Sequence, residues 1–288
     1  MATLHQAAKR EETTVEAALQ KARAALVASG TADLDAQVLL AHVLGCERAF
    51  LFAHPEASLD FQTSMQFQSL LQRRASGEPM AYILGAQGFY DLELKVTPSV
   101  LVPRPETELL LEEALQLTAD SPDATVADIG TGSGALAVTF ARHRPQCTVY
   151  ATDISADALE VARDNAREHC ARVSFFRGHL AQPLTERGIK VELLMANLPY
   201  IASDELDTLP VSQWEPRQAL DGGPDGLAYI RTLLQQAPRV CRAGAYVLLE
   251  IGADQGAAVS RLILDLLGAD CCVLKDYAGL DRIARFQL

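Results

Sequence analysis

The six cysteines, Cys46, Cys147, Cys170, Cys241, Cys271 and Cys272, form no C-x-x-C pair, and the histidines form no H-E-x-x-H. Neither a zinc site nor a disulfide framework is expected, and the thiols are expected to be reduced and mostly buried. No apolar run approaches the roughly 18 residues needed to span a bilayer. The start of the chain, with Lys9, Arg10, Glu11 and Glu12, lacks the apolar stretch of a secretory signal. No membrane association is expected, and the location is read as cytoplasmic. Basic residues are also scarce: 25 Lys and Arg against 37 Asp and Glu give a formal net charge of -12. That argues against holding nucleic acid through its phosphates, which takes a basic footprint. A local pair such as Arg73-Arg74 is read as a solvated helix face. Repeats and low-complexity tracts are absent. What remains is ordinary for a globular chain: 288 residues, 49% hydrophobic and 22% charged, enough for one large or two modest domains.

The most informative stretch is Val191-Glu192-Leu193-Leu194-Met195-Ala196-Asn197-Leu198-Pro199-Tyr200. Its short apolar run, bounded by Lys190 and Pro199, suits a strand covered on both faces in a parallel sheet. Functional loops of open α/β sheets leave from the carboxyl ends of such strands. This loop offers a side-chain amide, a carbonyl held before a proline and an aromatic ring. Pro199 pushes Leu198 to extended geometry, so its carbonyl and the Asn197 side chain can face one pocket. Two acceptors and a ring face are what a planar NH2 group needs to be gripped. The alternative is an ordinary strand-to-loop turn closed by Asn and Pro.

The first segment reads as helices. Thr13-Thr14-Val15-Glu16 has capping-box spacing, Val15, Ala18, Leu19, Ala22, Ala25 and Leu26 share a face, and Gly30 is placed to end the helix. A second helix is expected from about Asp33 to Leu44, before Gly45. A third is expected from about Ser58, carrying Phe61, Met65, Leu70 and Leu71 and stopping at Gly77. From Tyr82 to Val102 the pattern turns to alternation, with Leu92, Leu94 and Val96 between polar residues, as in a hairpin strand after Gly85 and Gly88. Val102-Pro103-Arg104-Pro105-Glu106-Thr107-Glu108 reads as a stiff loop whose Glu106 or Thr107 caps a helix starting at Leu109; a charged interdomain linker reads equally well. After Asp123, strands at Thr125–Asp128, Thr148–Asp153, Val173–Arg177, Val191–Ala196 and Ala245–Ile251 alternate with helices, the mark of a parallel, doubly wound sheet. Cys271–Asp276 and Ile283–Phe286 lie close enough for a hairpin, which places one antiparallel strand in it.

Asp128-Ile129-Gly130-Thr131-Gly132-Ser133-Gly134 follows the first of these strands and opens a helix. Glycines there let a ligand approach main-chain NH groups at the helix start. Ala135 completes G-x-G-x-x-A, and Asp153 ends the next strand at roughly the 20-residue spacing of a ribose-binding acid; its plainer role is to cap the helix at Ala156. The pattern does not separate a nicotinamide cofactor from S-adenosylmethionine. Asp128, able to serve a cationic amino-acid end, the amine-gripping loop and the reversed last strand favour the latter.

At this point the chain resembles a known family, the glutamine-specific methyltransferases of peptide chain release factors, the PrmC or HemK group. The resemblance covers nearly the whole length. It rests on Arg74 with Gly77-Glu78-Pro79 and Tyr82 to Gly85; Pro103 to Glu108; Asp128 to Gly134; Ala151-Thr152-Asp153; Asn197 to Tyr200; Glu215-Pro216 with Ala219-Leu220, Gly222-Gly223 and Asp225-Gly226-Leu227; Leu249-Glu250-Ile251-Gly252; and Asp276 with Gly279 and Arg282. It implies an α/β, Rossmann-like class I methyltransferase sheet of seven strands, the last antiparallel, preceded by a small helical bundle and a β-hairpin linker. The implied domains are a helical substrate-recognition domain over 1–80, hairpin and linker over 81–108, and an S-adenosylmethionine-dependent methyltransferase domain over 109–288. It implies cofactor contacts from Asp128, Gly130, Thr131, Gly132, Ser133, Gly134, Asp153, Leu180 and Asn197, and catalytic and substrate contacts from Asn197, Leu198, Pro199 and Tyr200. The partner would be a release factor presenting the glutamine of a Gly-Gly-Gln loop, with no direct nucleic acid, membrane or metal. Trp214, Glu215 and Arg104 are candidates for the substrate mouth. Two positions depart from the family: Leu198 stands where proline is usual, and His179 where an acid is common. The first uses its main-chain carbonyl, so its role is expected to survive with a less rigid loop; the second leaves the adenine contact unassigned.

Three rival functions share parts of this pattern. An exocyclic amine of adenine or cytosine presents the same planar NH2, and Asn-Leu-Pro-Tyr looks like the loop of adenine dimethyltransferases acting on ribosomal RNA. The acidic charge and the Pro103 to Glu108 motif oppose that reading. A hydride-transferring dehydrogenase lacks a His, Lys or Tyr constellation here. A non-catalytic release-factor-binding protein would keep the fold without turnover.

Overall fold

The computed structural model describes residues 13–288, so the charged stretch Lys9 to Glu12 lies outside the described residues. The chain divides into two compact units, Met1–Leu84 and Gly85–Leu288.

In the first unit, a two-residue strand β1 (Thr13–Thr14) leads into α1 (Val15–Ala25). The cap is Thr14, whose side chain accepts from Ala17 N at 3.3 Å, one residue beyond the expected box. A single 3-10 turn then ends at Gly30, and α2 (Ala32–Leu44) ends at Gly45, whose φ of 61° suits the left-handed closing residue of a helix. Next come α3 (Arg48–Ala53), β2 (Ser58–Leu59), α4 (Phe61–Ala75) and α5 (Met80–Leu84). The helix expected from Ser58 thus begins later, because Ser58 and Leu59 pair with β1 and Asp60 caps Thr63 N at 2.7 Å. Phe61 and Met65 do not belong to the core: they are 56% and 51% exposed, while Phe67 is buried. Phe67, Leu70 and Leu71 share the inward stripe, and Phe61 and Met65 fall outside its helical phase. The core unites Val15, Leu19, Leu26, Leu39, Leu40, Leu51, Phe67 and Ile83. Arg73 and Arg74 are not a solvated face. Arg74 pairs with the buried Asp35 at 2.7 Å, tying α4 to α2, and Arg73 holds Glu78.

The second unit opens with a hairpin, β3 (Ala86–Phe89) and β4 (Leu92–Lys95), which buries Phe89 and Leu94 against the large sheet's core. The following helix α6 (Pro105–Leu117) starts four residues before the expected Leu109, with Arg104 as its cap residue and no side-chain cap bond. Pro105 occupies the first helical position, where its missing N–H costs nothing. Neither Glu106 nor Thr107 therefore caps it.

The sheet is built from β5 (Thr125–Ile129), β6 (Thr148–Asp153), β7 (Val173–Arg177), β8 (Val191–Ala196), β9 (Cys241–Glu250), β10 (Cys271–Lys275) and β11 (Asp281–Gln287). Its order is β10-β11-β9-β8-β5-β6-β7, and β11, wedged between β10 and β9, is the one strand antiparallel to its neighbours. Connecting helices are α7 (Ala135–His143), α8 (Ala156–Glu168), the short α9 (Gln182–Glu186) and α10 (Ser203–Leu206), α11 (Ala228–Val240) and α12 (Gly256–Leu267). Helices cover both faces, so strand residues are apolar on both: Leu194 and Ala196 pack with α11, while Leu193 and Met195 pack with α6 and α7. The central strands β8 and β5 end side by side, which brings Asn197 next to the glycine loop.

Candidate active site

A cavity of about 320 Å³ lies over the carboxyl ends of the central strands, a size suited to a small ligand. Asp128, Gly130, Thr131, Gly132, Ser133, Asp153, Leu180, Asn197, Leu198 and Pro199 line it; Gly134 and Tyr200 do not. Gly134 instead sits at the start of α7 with φ of 85°, against Ala162 of α8. Tyr200 lies behind the loop, mostly buried.

The glycine loop is fixed by the acids beside it. Asp153 accepts from Gly132 N through Oδ2 and from Ser155 N through Oδ1, both at 2.9 Å. The cap of α8 is Ser155, accepting from Ala158 N at 3.2 Å, so Asp153 stitches the loop to the tip of β6 rather than capping the helix. Asp128 is 1% exposed. Its Oδ2 accepts from Thr131 Oγ1 at 2.6 Å and Ala137 N at 3.2 Å, while Oδ1 is buried with no partner. Burial pushes this carboxyl up to about 7, against the pull of Thr131 and Ala137. Asp128 lines the cavity, and its buried carboxylate oxygen without a partner favours a cationic group beside it. At Gly130, φ is 77° and an added Cβ would lie 3.0 Å from Leu198 Cδ2, so the loop's first glycine is required by both backbone and space. Leu180, which lines the cavity, has a φ of 52°, a conformation uncommon for leucine. His179 faces Tyr229, with ring centroids 6.2 Å apart, and both line the cavity.

The Asn197 to Tyr200 loop is held from behind. Gln255 Nε2 donates to Tyr200 O at 2.8 Å, Ile201 N to Leu220 O at 3.1 Å and Gly222 N to Ile201 O at 2.7 Å. Gly222 and Gly226 permit that closeness: a Cβ at either would meet Pro199 or Tyr200 backbone atoms within 2.8 Å. Leu198, 3% exposed, anchors the loop in the core where a proline would have stiffened it. Asn197 Nδ2 donates to Thr107 Oγ1 at 3.0 Å. Behind them Glu250, 1% exposed, accepts from Tyr200 OH at 3.5 Å. Burial pushes Glu250 up to about 7 and Tyr200 up to about 12.

Of the candidates for the substrate mouth, Arg104 lines the cavity and Glu215 and Trp214 do not. Glu215, buried, accepts from Val102 N at 3.0 Å and pairs with Arg104, which lines the cavity; it therefore anchors the Pro103-Arg104-Pro105 segment. Trp214 does not line the cavity, whereas Pro216, Gln218 and Ala219 do. Thr107 was invisible as a site residue because it meets Asn197 across 90 positions of sequence. Glu250 carried a signal, an acid closing an otherwise apolar strand. Among the described residues, no group of three or more His, Cys, Asp and Glu is placed to hold a metal ion. No helix among them is long and apolar enough to cross a membrane.

Strand order, reversed β11 and a cavity over the glycine loop define a class I methyltransferase fold. A solved methyltransferase from Pyrococcus furiosus shares it, with a TM-score of 0.52 at 17% identity, covering 76% of this chain and 96% of that one. Residues 17–85 match the family model described as PrmC N-terminal domain, and residues 105–212 the one described as Methyltransferase small domain. A release factor glutamine methyltransferase of Moorella thermoacetica is 44% identical over 276 residues, 93% of this chain and 96% of that protein. One from Vibrio cholerae is 42% identical over 278 residues, 95% of this chain and 96% of that protein. The chain belongs to the release factor glutamine methyltransferase family, whose members are S-adenosylmethionine-dependent enzymes.

Proposed function

We propose that this enzyme moves a methyl group from S-adenosylmethionine to the side-chain amide nitrogen of the glutamine in the Gly-Gly-Gln loop of peptide chain release factors, and so modulates translation termination. The observation that carries the reading is the pairing, in one cavity, of the unpartnered Asp128 carboxylate oxygen with the acceptors of Asn197 and Leu198.

The cofactor supplies a methyl on positively charged sulfur, already activated toward a nucleophile. Asp128 Oδ1 would take its ammonium group, the Gly130 to Gly134 backbone its amino-acid end and Asp153 its ribose hydroxyls, with the Leu180 backbone at the adenine. An amide nitrogen is a poor nucleophile because its lone pair is delocalised into the carbonyl. Hydrogen bonds from both its hydrogens to Asn197 Oδ1 and Leu198 O would aim the nitrogen and favour localisation of the pair as the bond forms. Pro199 holds the Leu198 carbonyl extended, and Tyr200 braces the loop from behind. The nitrogen–carbon bond forms as the sulfur–carbon bond breaks, its electron pair going to sulfur. The proton then leaves the methylated nitrogen to water. No general base is needed before transfer, so positioning does most of the work. The two glycines before the glutamine would let a backbone enter the cavity mouth. The first unit would grip a distant part of the factor, the orientation cost being met away from the chemistry.

Mass spectrometry of a release-factor digest, after incubation with enzyme and S-adenosylmethionine, is expected to show one added methyl on that glutamine. Label landing on RNA would install the adenine-amine reading instead. A protein that captures the factor without consuming cofactor would install the non-catalytic one.

A further inference from the structure

Asn197 is useful to an NH2 substrate only if its oxygen, not its nitrogen, faces the cavity. The two ends of a carboxamide are nearly equal in size, so sterics alone does not choose between them. A flipped Asn197 would meet the substrate amide donor to donor. Something outside the loop must therefore set the choice.

Thr107 is placed to do so. It projects from the first turn of α6, is 5% exposed, and its Oγ1 takes the Asn197 Nδ2 hydrogen at 3.0 Å. No donor among the described residues bonds to Asn197 Oδ1, which leaves that oxygen for a ligand. A threonine hydroxyl can also donate, so its own hydrogen has to be directed elsewhere if Oγ1 is to act as an acceptor. Glu250, at the end of β9, accepts from Tyr200 OH at 3.5 Å through Oε1 and leaves its buried Oε2 without a hydrogen-bond partner, and the Thr107 hydroxyl favours its ionised form. Tyr200 and Arg282 face the same carboxylate with Glu106, so cationic and hydroxyl groups oppose one further acid there. A hydroxyl hydrogen donated toward Glu250 Oε2 would leave Oγ1 to accept from Asn197.

We propose that Thr107 is a positioning residue for methyl transfer: its Oγ1, accepting from Nδ2, locks the Asn197 carboxamide with Oδ1 toward the substrate amide. This rests on the proposed glutamine methylation and adds a residue to that site. It also gives the Pro-Arg-Pro-Glu-Thr-Glu segment a task beyond linking, since Pro105 starts the helix that delivers Thr107.

The test compares Thr107→Val, which keeps the shape but removes the hydroxyl, with Thr107→Ser, which keeps the hydroxyl. Methylation of release factor is followed at saturating S-adenosylmethionine, together with cofactor affinity. Thr107→Val is expected to lower kcat by about tenfold or more, with KM for the factor and Kd for S-adenosylmethionine within about threefold of wild type. Thr107→Ser is expected to stay within about threefold in kcat. A kcat for Thr107→Val within twofold of wild type overturns the proposal. So does a loss in cofactor affinity that matches the loss of rate, or a Thr107→Ser as slow as the valine variant. If the valine variant does not fold, Thr107→Ala takes its place under the same criteria. A wild-type enzyme that leaves the factor's glutamine unmodified overturns the parent reading instead, which the wild-type arm alone reveals.

Discussion

Asn197 and Asp128 line one cavity; in the proposed function they hold opposite kinds of ligand, and their substitutions should separate accordingly. Asn197→Ala removes an acceptor for the substrate amide but no contact of the glycine loop. Methylation is expected to vanish while S-adenosylmethionine affinity by calorimetry stays within severalfold. Asp128→Asn should do the reverse, weakening cofactor binding by tenfold or more, about 1.4 kcal/mol per factor of ten. Its effect on the ligand-free protein is opposite in sign. Burial raises the Asp128 carboxyl from 3.8 to about 7, so between those pH values the folded state binds more protons than the unfolded one. Stability from this group is therefore lost as pH rises across that window and stays low above it. Asp128→Asn should raise the melting temperature of ligand-free enzyme at pH 8 more than at pH 5, and an equal effect at both would remove this assignment. The acid and glycines were legible in the sequence because they are neighbours in it. Asn197 was legible from its loop, but its pairing with Thr107 was not, because only the folded sheet brings α6 against the end of β8.

Elements were readable where length and pattern agreed. Strands such as β6, β7 and β8 have bounds set by charge, glycine or proline around an apolar run. The two-residue strands β1 and β2 have too few positions to show any period, and their pairing delays α4 to Phe61. The start of α6 was misplaced for a different reason. Two prolines flanking an arginine look like a stiff loop, whereas Pro105 is a favoured first helical residue. What holds the preceding turn is distant: Glu215 takes Val102 N and Arg104 together. Glu215→Ala would leave a guanidinium and a backbone N–H without their acceptor, a change that costs about 1–3 kcal/mol when such groups are buried. The expected outcome is a lower melting temperature and a KM for release factor raised at least severalfold. Cofactor affinity should change much less, because neither partner touches the glycine loop. Steady-state kinetics with each substrate varied in turn distinguishes this from general unfolding.

Across the whole molecule the chain folds as two compact units, each with its own core. Residues from Val15 to Ile83 bury one another in the first unit, and the sheet with its helices and hairpin forms the second, which contains every cavity-lining residue. The hairpin belongs with that second unit, since Phe89 and Leu94 join its core and Asn165 holds Lys95 N at 2.7 Å and Lys95 O at 3.0 Å. If the first unit serves to hold a remote part of the factor, its removal should leave chemistry and cofactor binding largely intact while losing the affinity that aligns the loop. An enzyme beginning at Gly85 is thus expected to bind S-adenosylmethionine within severalfold of the full chain, yet to need at least tenfold more release factor for half-maximal rate. A short Gly-Gly-Gln peptide, which reaches only the cavity, should be methylated equally by both forms. Unchanged saturation by intact factor in the shortened enzyme would remove substrate recognition from the first unit and leave the cavity alone to choose the glutamine.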